Sequence, residues 1–180
     1  MAFPDQFEDQ NTQLTFEDMA CAVALIKELD ALMYFNQGSV SGASVLHKHM
    51  QFIPRDILGP IPVETAYLES DSITAFASLK HKFQKLDTLS PSECYQAYQS
   101  LREALQPDEA KGDSYNLLMT DKLMWMVMRD KNSVFGDGNA RIDVNSMGFA
   151  GTLFVKNPES LELLKHKGPA KILQEVAAKL

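Results

Sequence analysis

Residues 41–54, Ser-Gly-Ala-Ser-Val-Leu-His-Lys-His-Met-Gln-Phe-Ile-Pro, constrain the fold more than any other part of the chain, because loop, strand and terminator follow one another without ambiguity. Successive side chains of an extended chain point to opposite faces. A strand over 46–53 therefore sets His47, His49, Gln51 and Ile53 along one side, and Leu46, Lys48, Met50 and Phe52 along the other. Pro54 ends it. The small residues of 37–44 before it form a loop whose backbone N–H groups are open to an anion.

Around this strand the pattern alternates between helix and sheet. Leu14, Thr15 and Asp18 mark a helix start with Thr15 as cap, and Met19, Val23, Ile26 and Met33 share one face at helical spacing, so the helix is expected to run to about Met33. Tyr34-Phe35-Asn36 then reads as a short strand. Residues 58–71 carry prolines and a glycine and read as an excursion loop; 73–86 show no clear period. Ser90-Pro91-Ser92-Glu93 combines cap, first-turn proline and reciprocal glutamate, and Cys94, Tyr98, Leu101 and Leu105 supply the apolar stripe that follows. The apolar runs 115–120 and 123–128, parted by Asp121-Lys122, predict a hairpin. A small-residue stretch at 144–151, a strand at 152–156 and two helices split by Gly168-Pro169 complete an α+β pattern. Pro, Gly and charge cluster at 106–112, which places a boundary between regions 1–106 and 107–180.

Composition narrows the possible partners. Seventeen basic against twenty-four acidic residues leave a net charge of -7, which repels a polyanion at long range and argues against duplex DNA or an anionic lipid surface. A single small anion needs only a few local donors and stays within reach. Cys21 and Cys94 each lie in a helical pattern, so neither a disulfide framework nor a zinc site is expected, and that usage fits a reducing cytoplasm. No apolar run approaches the roughly 18 residues a membrane span requires.

Two imidazoles and an amide on one side of a strand, directly after a Gly/Ala/Ser loop, bring a nucleophile beside an anion cradle. A neutral imidazole nitrogen attacks phosphorus in line and holds the group as a phosphoramidate, splitting one hard displacement into two easier ones. The N–H groups of Gly42, Ala43, Ser44 and Val45 neutralise phosphate oxygens in this reading, and the Gln51 amide donates to a non-bridging oxygen. His-x-His alone also fits a metal pair or two surface imidazoles, but a zinc site needs further ligands, and His81 and His166 lie far away in charged surroundings.

The runs Phe7-Glu8-Asp9-Gln10, Tyr34-Phe35-Asn36 and 41–54 together resemble the diadenosine tetraphosphate phosphorylases (ATP adenylyltransferases) of the histidine-triad superfamily. Tyr115-Asn116-Leu117-Leu118-Met119-Thr120 and 145–156 resemble the C-terminal region of the same family, in the same order. The resemblance implies a histidine-triad-like antiparallel sheet with helices in 1–106 and the phosphorylase C-terminal region in 107–180. It implies phosphorolysis of diadenosine tetraphosphate to ATP and ADP, with His49 as nucleophile, His47 orienting strand and ligand, and Gln51 where hydrolases of the superfamily carry a last histidine. Asn36, Gly42, Ala43, Ser44, Val45, Asn145, Ser146, Met147, Thr152 and Lys156 fall on nucleotide-binding positions. Met147 also fits a core role, Lys156 a solvated charge, and Asn116 a strand-end side chain bonded to backbone.

A magnesium or manganese ion bridging the polyphosphate, and phosphate as second substrate, are implied by the family alone. Relatives of this kind carry further residues ahead of the segment equivalent to Phe7-Glu8-Asp9-Gln10, including strands of the sheet and a lysine on the polyphosphate. Without them, unpaired ladder groups and an open apolar face are expected, with self-association through the incomplete sheet. A remnant that binds nucleotide without turnover, and a hydrolase or sulfate-using transferase on the same scaffold, are the rival readings.

Overall fold

The computed structural model describes residues 1–108, 112 and 114–180, so 109–111 of the expected boundary lie outside the described residues. Helix α1 spans Phe16–Leu29, opened by a complete capping box: Thr15 Oγ1 accepts from Asp18 N at 3.1 Å and Asp18 Oδ2 from Thr15 N at 2.8 Å. The helix stops four residues short of Met33. Asp30 turns left-handed at φ 42°, and β1 (Ala31–Gln37) begins at once. Met33 satisfies the helical period by coincidence; two neighbouring strands claim its backbone, and that pairing overrides the local pattern.

Strand β1 pairs with β2 (Gln51–Pro54) on one side and β4 (Ser114–Met119) on the other, β4 pairs with β5 (Leu123–Arg129), and β5 with β3 (His81–Lys85). The result is a five-stranded antiparallel sheet of order β2-β1-β4-β5-β3, drawing strands from both sides of residue 106. The expected hairpin at Asp121-Lys122 is β4–β5. Both its strands are buried along their full length, which requires cover on both faces.

Alternation supplies that cover. Met33, Phe35, Leu117, Met124 and Met126 face α1 and α4 (Pro91–Leu105), where Met19, Ile26, Cys94 and Leu101 meet them. Leu32, Tyr34, Leu118, Trp125 and Val127 face the C-terminal third, among them Val144, Phe149, Ile172 and Val176. Trp125 is fully buried and still donates Nε1–H to the Phe149 carbonyl at 3.1 Å, so its polar edge is satisfied. The apolar face expected to lie open is thus covered on both sides. Among the described residues no helix is long and apolar enough to cross a membrane.

Three further expectations are corrected. The excursion loop contains α2 (Arg55–Leu58) and α3 (Pro62–Ser70): Pro62 occupies the first turn, where a missing N–H costs nothing, and so starts a helix instead of breaking one. Buried Glu64 on α3 then takes two bonds from Arg55, at 2.8 and 3.0 Å, while Arg55 also reaches Asp121. At α4 Ser90 caps as expected, but Glu93 accepts from the N–H groups of Asp87 and Thr88 instead of closing a reciprocal box. Residues 152–156 join no ladder. The strands of that region are a separate ribbon of β6 (Ser133–Phe135) and β7 (Arg141–Asp143), followed by a 3₁₀ turn at Ser146–Ala150 and helices α5 (Pro158–Lys167) and α6 (Pro169–Val176).

Candidate active site

The histidine segment follows from the sheet register. Only 51–54 pair with β1, while 46–50 pair on their outer edge with the N-terminal residues: Gln10 N donates to Leu46 O at 2.8 Å, Lys48 N to Glu8 O at 2.8 Å, and Met50 exchanges two bonds with Ala2. Lys48, fully buried, anchors this arrangement. Its ammonium donates to Glu8 at 3.0 Å and the Gln13 carbonyl at 2.9 Å and pairs with Asp18 at 2.5 Å, using all three protons. Burial alone pulls this ammonium down, and Asp18 and Glu8 more than offset it.

That anchor fixes Gln10, whose amide links the histidine segment to β1. Gln10 Oε1 accepts from His49 N at 2.8 Å, and its Nε2 donates to the Asn36 carbonyl at 2.7 Å. The His49 ring is held by its own strand: Nδ1 lies 2.9 Å from the His47 carbonyl. A carbonyl only accepts, so Nδ1 carries the proton of the neutral ring and Nε2 keeps its lone pair, the form a nucleophile needs. His47 Nε2 is tied likewise to the Gln6 carbonyl at 3.1 Å. The Phe3 ring stacks on His49 with centroids 5.6 Å apart and also touches His47, leaving His49 3% exposed. His49 lines a cavity of about 410 Å³ with Phe3, Lys48, Asp18 and Cys21. Gln51 accepts from the Tyr34 hydroxyl at 3.0 Å.

A second concavity, about 430 Å³, collects half of the expected nucleotide-binding positions: it is lined by Gly42, Ala43 and Ser44, by Val144 and Asn145 packed against Gly42, and by Lys156, Arg141, Asp143, Asn132 and Phe154. Gly42 is required here. Its φ is +91°, and a β-carbon on it would come within 2.8 Å of Asn145 Cβ. Asp143 accepts from Arg141 Nε and Lys156 Nζ, both at 2.6 Å, and from Ser133 at 2.7 Å. Partial burial alone raises the Asp143 carboxyl, but these three donors hold it down at about 2. Two cations thus share one carboxylate, and the groove keeps a local positive excess.

Beneath the groove lies a buried polar cluster. Asn36 Oδ1 accepts from Asn116 Nδ2 at 2.7 Å and from both N and Oγ of Ser146, at 3.0 and 2.7 Å. Asn116 also donates to the Ser41 carbonyl at 2.8 Å. Asn36 Nδ2 is a buried donor without a partner among the described residues. Arg129, at the end of β5, runs through this cluster, with its guanidinium over the Phe149 ring.

Of the residues singled out in the sequence, Gly42, Ala43, Ser44, Asn145 and Lys156 line the groove, while Asn36, Ser146 and Met147 lie buried under it. Met147 is a core side chain. Asn145 caps the 3₁₀ turn through its side-chain oxygen, at 3.0 Å from Met147 N. His47, His49 and Gln51 stand on the histidine segment and line no part of the groove; Gln10 connects that segment to Asn36. Val45 is exposed and Thr152 sits off the groove, donating its N–H to the Met147 carbonyl. Asn116 takes the backbone bond, donating to the Ser41 carbonyl, and donates to the Asn36 side chain as well. Among the described residues no group of three His, Cys, Asp or Glu side chains is placed to hold a metal ion, and the groove's carboxylate is engaged by two cations. The residues present therefore do not fit a protein-held divalent ion.

Missed in the sequence were Gln10 as a bridge, the Arg141–Asp143–Lys156 triad and Arg129. Gln10 lies inside the run Phe7-Glu8-Asp9-Gln10. Arg129, Arg141 and Asp143 are single charges at strand ends, which local pattern cannot tell from solvated ones, and Lys156 showed in the sequence without these partners.

Residues 59–179 match the ATP adenylyltransferase C-terminal domain and residues 3–69 the Ap4A phosphorylase N-terminal domain. Diadenosine 5',5'''-P1,P4-tetraphosphate phosphorylase 2 of Saccharomyces cerevisiae is 26% identical over 88% of this chain and 58% of its own length, and Protein APA1 of the same yeast 24% over 91% and 59%. The chain thus spans somewhat under two thirds of the curated relatives it matches. Among solved structures, yeast Ap4A phosphorylase Apa2 in complex with AMP superposes with TM-score 0.79 at 26% identity, covering 98% of this chain and 68% of that one. The same enzyme in complex with Ap4A gives 0.78 at 24%, over 96% and 66%. The two domain models and the superposition over nearly the whole chain agree, and the chain belongs to the Ap4A phosphorylase family.

Proposed function

We propose that this chain transfers an adenylyl group from diadenosine tetraphosphate to phosphate through His49. The observation that carries the reading is the Gln10 bridge: one amide holds the His49 backbone and the Asn36 carbonyl, coupling a histidine whose Nε2 is free of hydrogen to the cluster under the groove. The polyphosphate would lie along Gly42, Ala43, Ser44, Asn145 and Lys156, with the unpaired Asn36 amide proton turned to a ligand oxygen. In the first step the Nε2 lone pair forms an N–P bond to the α-phosphorus as the bridging P–O bond breaks, and ATP leaves. In the second, a phosphate oxygen attacks the same phosphorus, the N–P bond breaks, and ADP leaves with the imidazole neutral again. Gln51, on the same side of the strand, donates to a non-bridging oxygen as charge builds. A magnesium or manganese ion enters this proposal as the ligand's own counter-ion, and no step is assigned to it.

Incubation with diadenosine tetraphosphate and phosphate should yield ATP and ADP in equal amounts. Protein quenched without phosphate should gain the mass of one adenylyl group. His49→Ala and His49→Gly should abolish both, and wild-type turnover in either variant rejects the nucleophile. A second reading, nucleotide binding without turnover, is favoured by the Phe3 ring stacked on His49 and by the 3% exposure of that residue. Phe3→Ala separates the two: adenylylation that rises on uncovering the ring supports transfer, whereas bound nucleotide with no adenylylation in either protein supports the second.

A further inference from the structure

Arg129 is buried at 4% exposure, yet among the described residues no carboxylate bonds it. All five of its N–H groups are used on neutral acceptors. Nη1 donates to the Ser41 carbonyl at 3.2 Å and to Asn116 Oδ1, Nη2 to the Val144 carbonyl at 2.9 Å and the Lys131 carbonyl at 2.6 Å, and Nε to the Val176 carbonyl at 3.3 Å. Burial pulls the guanidinium down to about 9, which leaves it charged at neutral pH. A buried cation with no counter-charge is costly, and a methionine of similar volume would avoid that cost. Its placement explains what the charge does. Ser41 immediately precedes Gly42 and Val144 immediately precedes Asn145, so one guanidinium bonds both of the segments that meet at the groove.

We propose that Arg129 is a positioning residue that pins the Gly42 loop against the Val144–Asn145 segment and lends the groove an uncompensated positive charge for the polyphosphate. This inference rests on reading the groove as a polyphosphate site. The rigid fork holds the Gly42 loop against Asn145, where there is no room for a β-carbon on residue 42. The charge acts through a low-dielectric layer of carbonyls that already point their negative ends at it, so an anion above the groove is the counter-charge the protein withholds.

The test uses the whole chain and inorganic tripolyphosphate, measured calorimetrically at low and high salt. Arg129→Met, folded by near-UV circular dichroism, should bind tripolyphosphate about tenfold more weakly at low salt, with a flatter salt dependence. Arg129→Lys keeps the charge without the fork and should recover the salt dependence while binding more weakly than wild type. A merely structural residue would lower the melting temperature of both variants and leave the salt dependence unchanged. In the unmodified protein, the Arg129 Nε–H resonance should shift on titration and saturate with the calorimetric Kd; this arm stands even if neither variant folds. Wild-type affinity in folded Arg129→Met, or an Nε–H resonance unmoved at saturation, overturns the role of Arg129 alone. Failure of the wild-type chain to bind tripolyphosphate overturns the polyphosphate reading of the groove and this inference together.

Discussion

Gly42→Ala tests the construction of the groove with a single methyl. The residue sits at φ +91°, a conformation in which an L side chain is strained by roughly 1–2 kcal/mol. The new β-carbon would lie 2.8 Å from Asn145 Cβ and 3.0 Å from both Asn145 Cα and the Val144 carbonyl, two of which are backbone atoms that Arg129 and the 3₁₀ turn hold in place. Overpacking of this kind costs roughly 1–3 kcal/mol. Together these give a loss of about 3 kcal/mol if the loop stays, or a displaced loop and a reshaped groove if it moves. At an m-value of about 2 kcal/mol/M the first outcome lowers the urea midpoint by about 1.5 M. The second leaves stability closer to wild type but weakens tripolyphosphate binding. Urea unfolding and calorimetry on the same preparation distinguish them. An unchanged midpoint together with unchanged tripolyphosphate affinity would refute the reasoning, since no arrangement of these atoms accommodates the methyl at no cost.

Two further predictions concern stability. Asp143 is depressed in the folded chain to about 2 from an ordinary 3.8, so its contribution is complete above that ordinary value and is lost as pH falls toward 2. Asp143→Asn should therefore lower the urea midpoint at neutral pH and flatten its decline between about pH 4 and 2; a decline as steep as wild type's would assign the acid limb elsewhere, with Glu64, also lowered, as the next carboxylate to test. Thr15→Ala removes one half of the α1 capping box and should cost about 1 kcal/mol, a fall in Tm of about 2–4 °C by calorimetry. A Tm unchanged within error would mean that the Lys48–Asp18 pair, not the cap, holds the start of the helix.

The amino-acid sequence by itself determined those elements whose cause is local. The Thr15 box, the Ser90 cap, the Asp121-Lys122 hairpin and the Gly168-Pro169 break rest on contacts within a few residues, and each lies where the pattern put it. The alternation along the histidine strand is also legible, since Met50 and Phe52 face α1 and α4 while Ile53 faces the other core. Met33 and Pro62 were misread because a period or a proline has two meanings, and pairing to β2 and β4, or the first turn of α3, selects between them. The groove is a property of tertiary structure alone. Gly42 and Asn145 lie about a hundred residues apart in the chain and meet because Arg129, arriving from the end of β5, bonds the carbonyl before each of them. No local preference encodes such a meeting; it exists only once the sheet has closed and its buried polar groups have found one another.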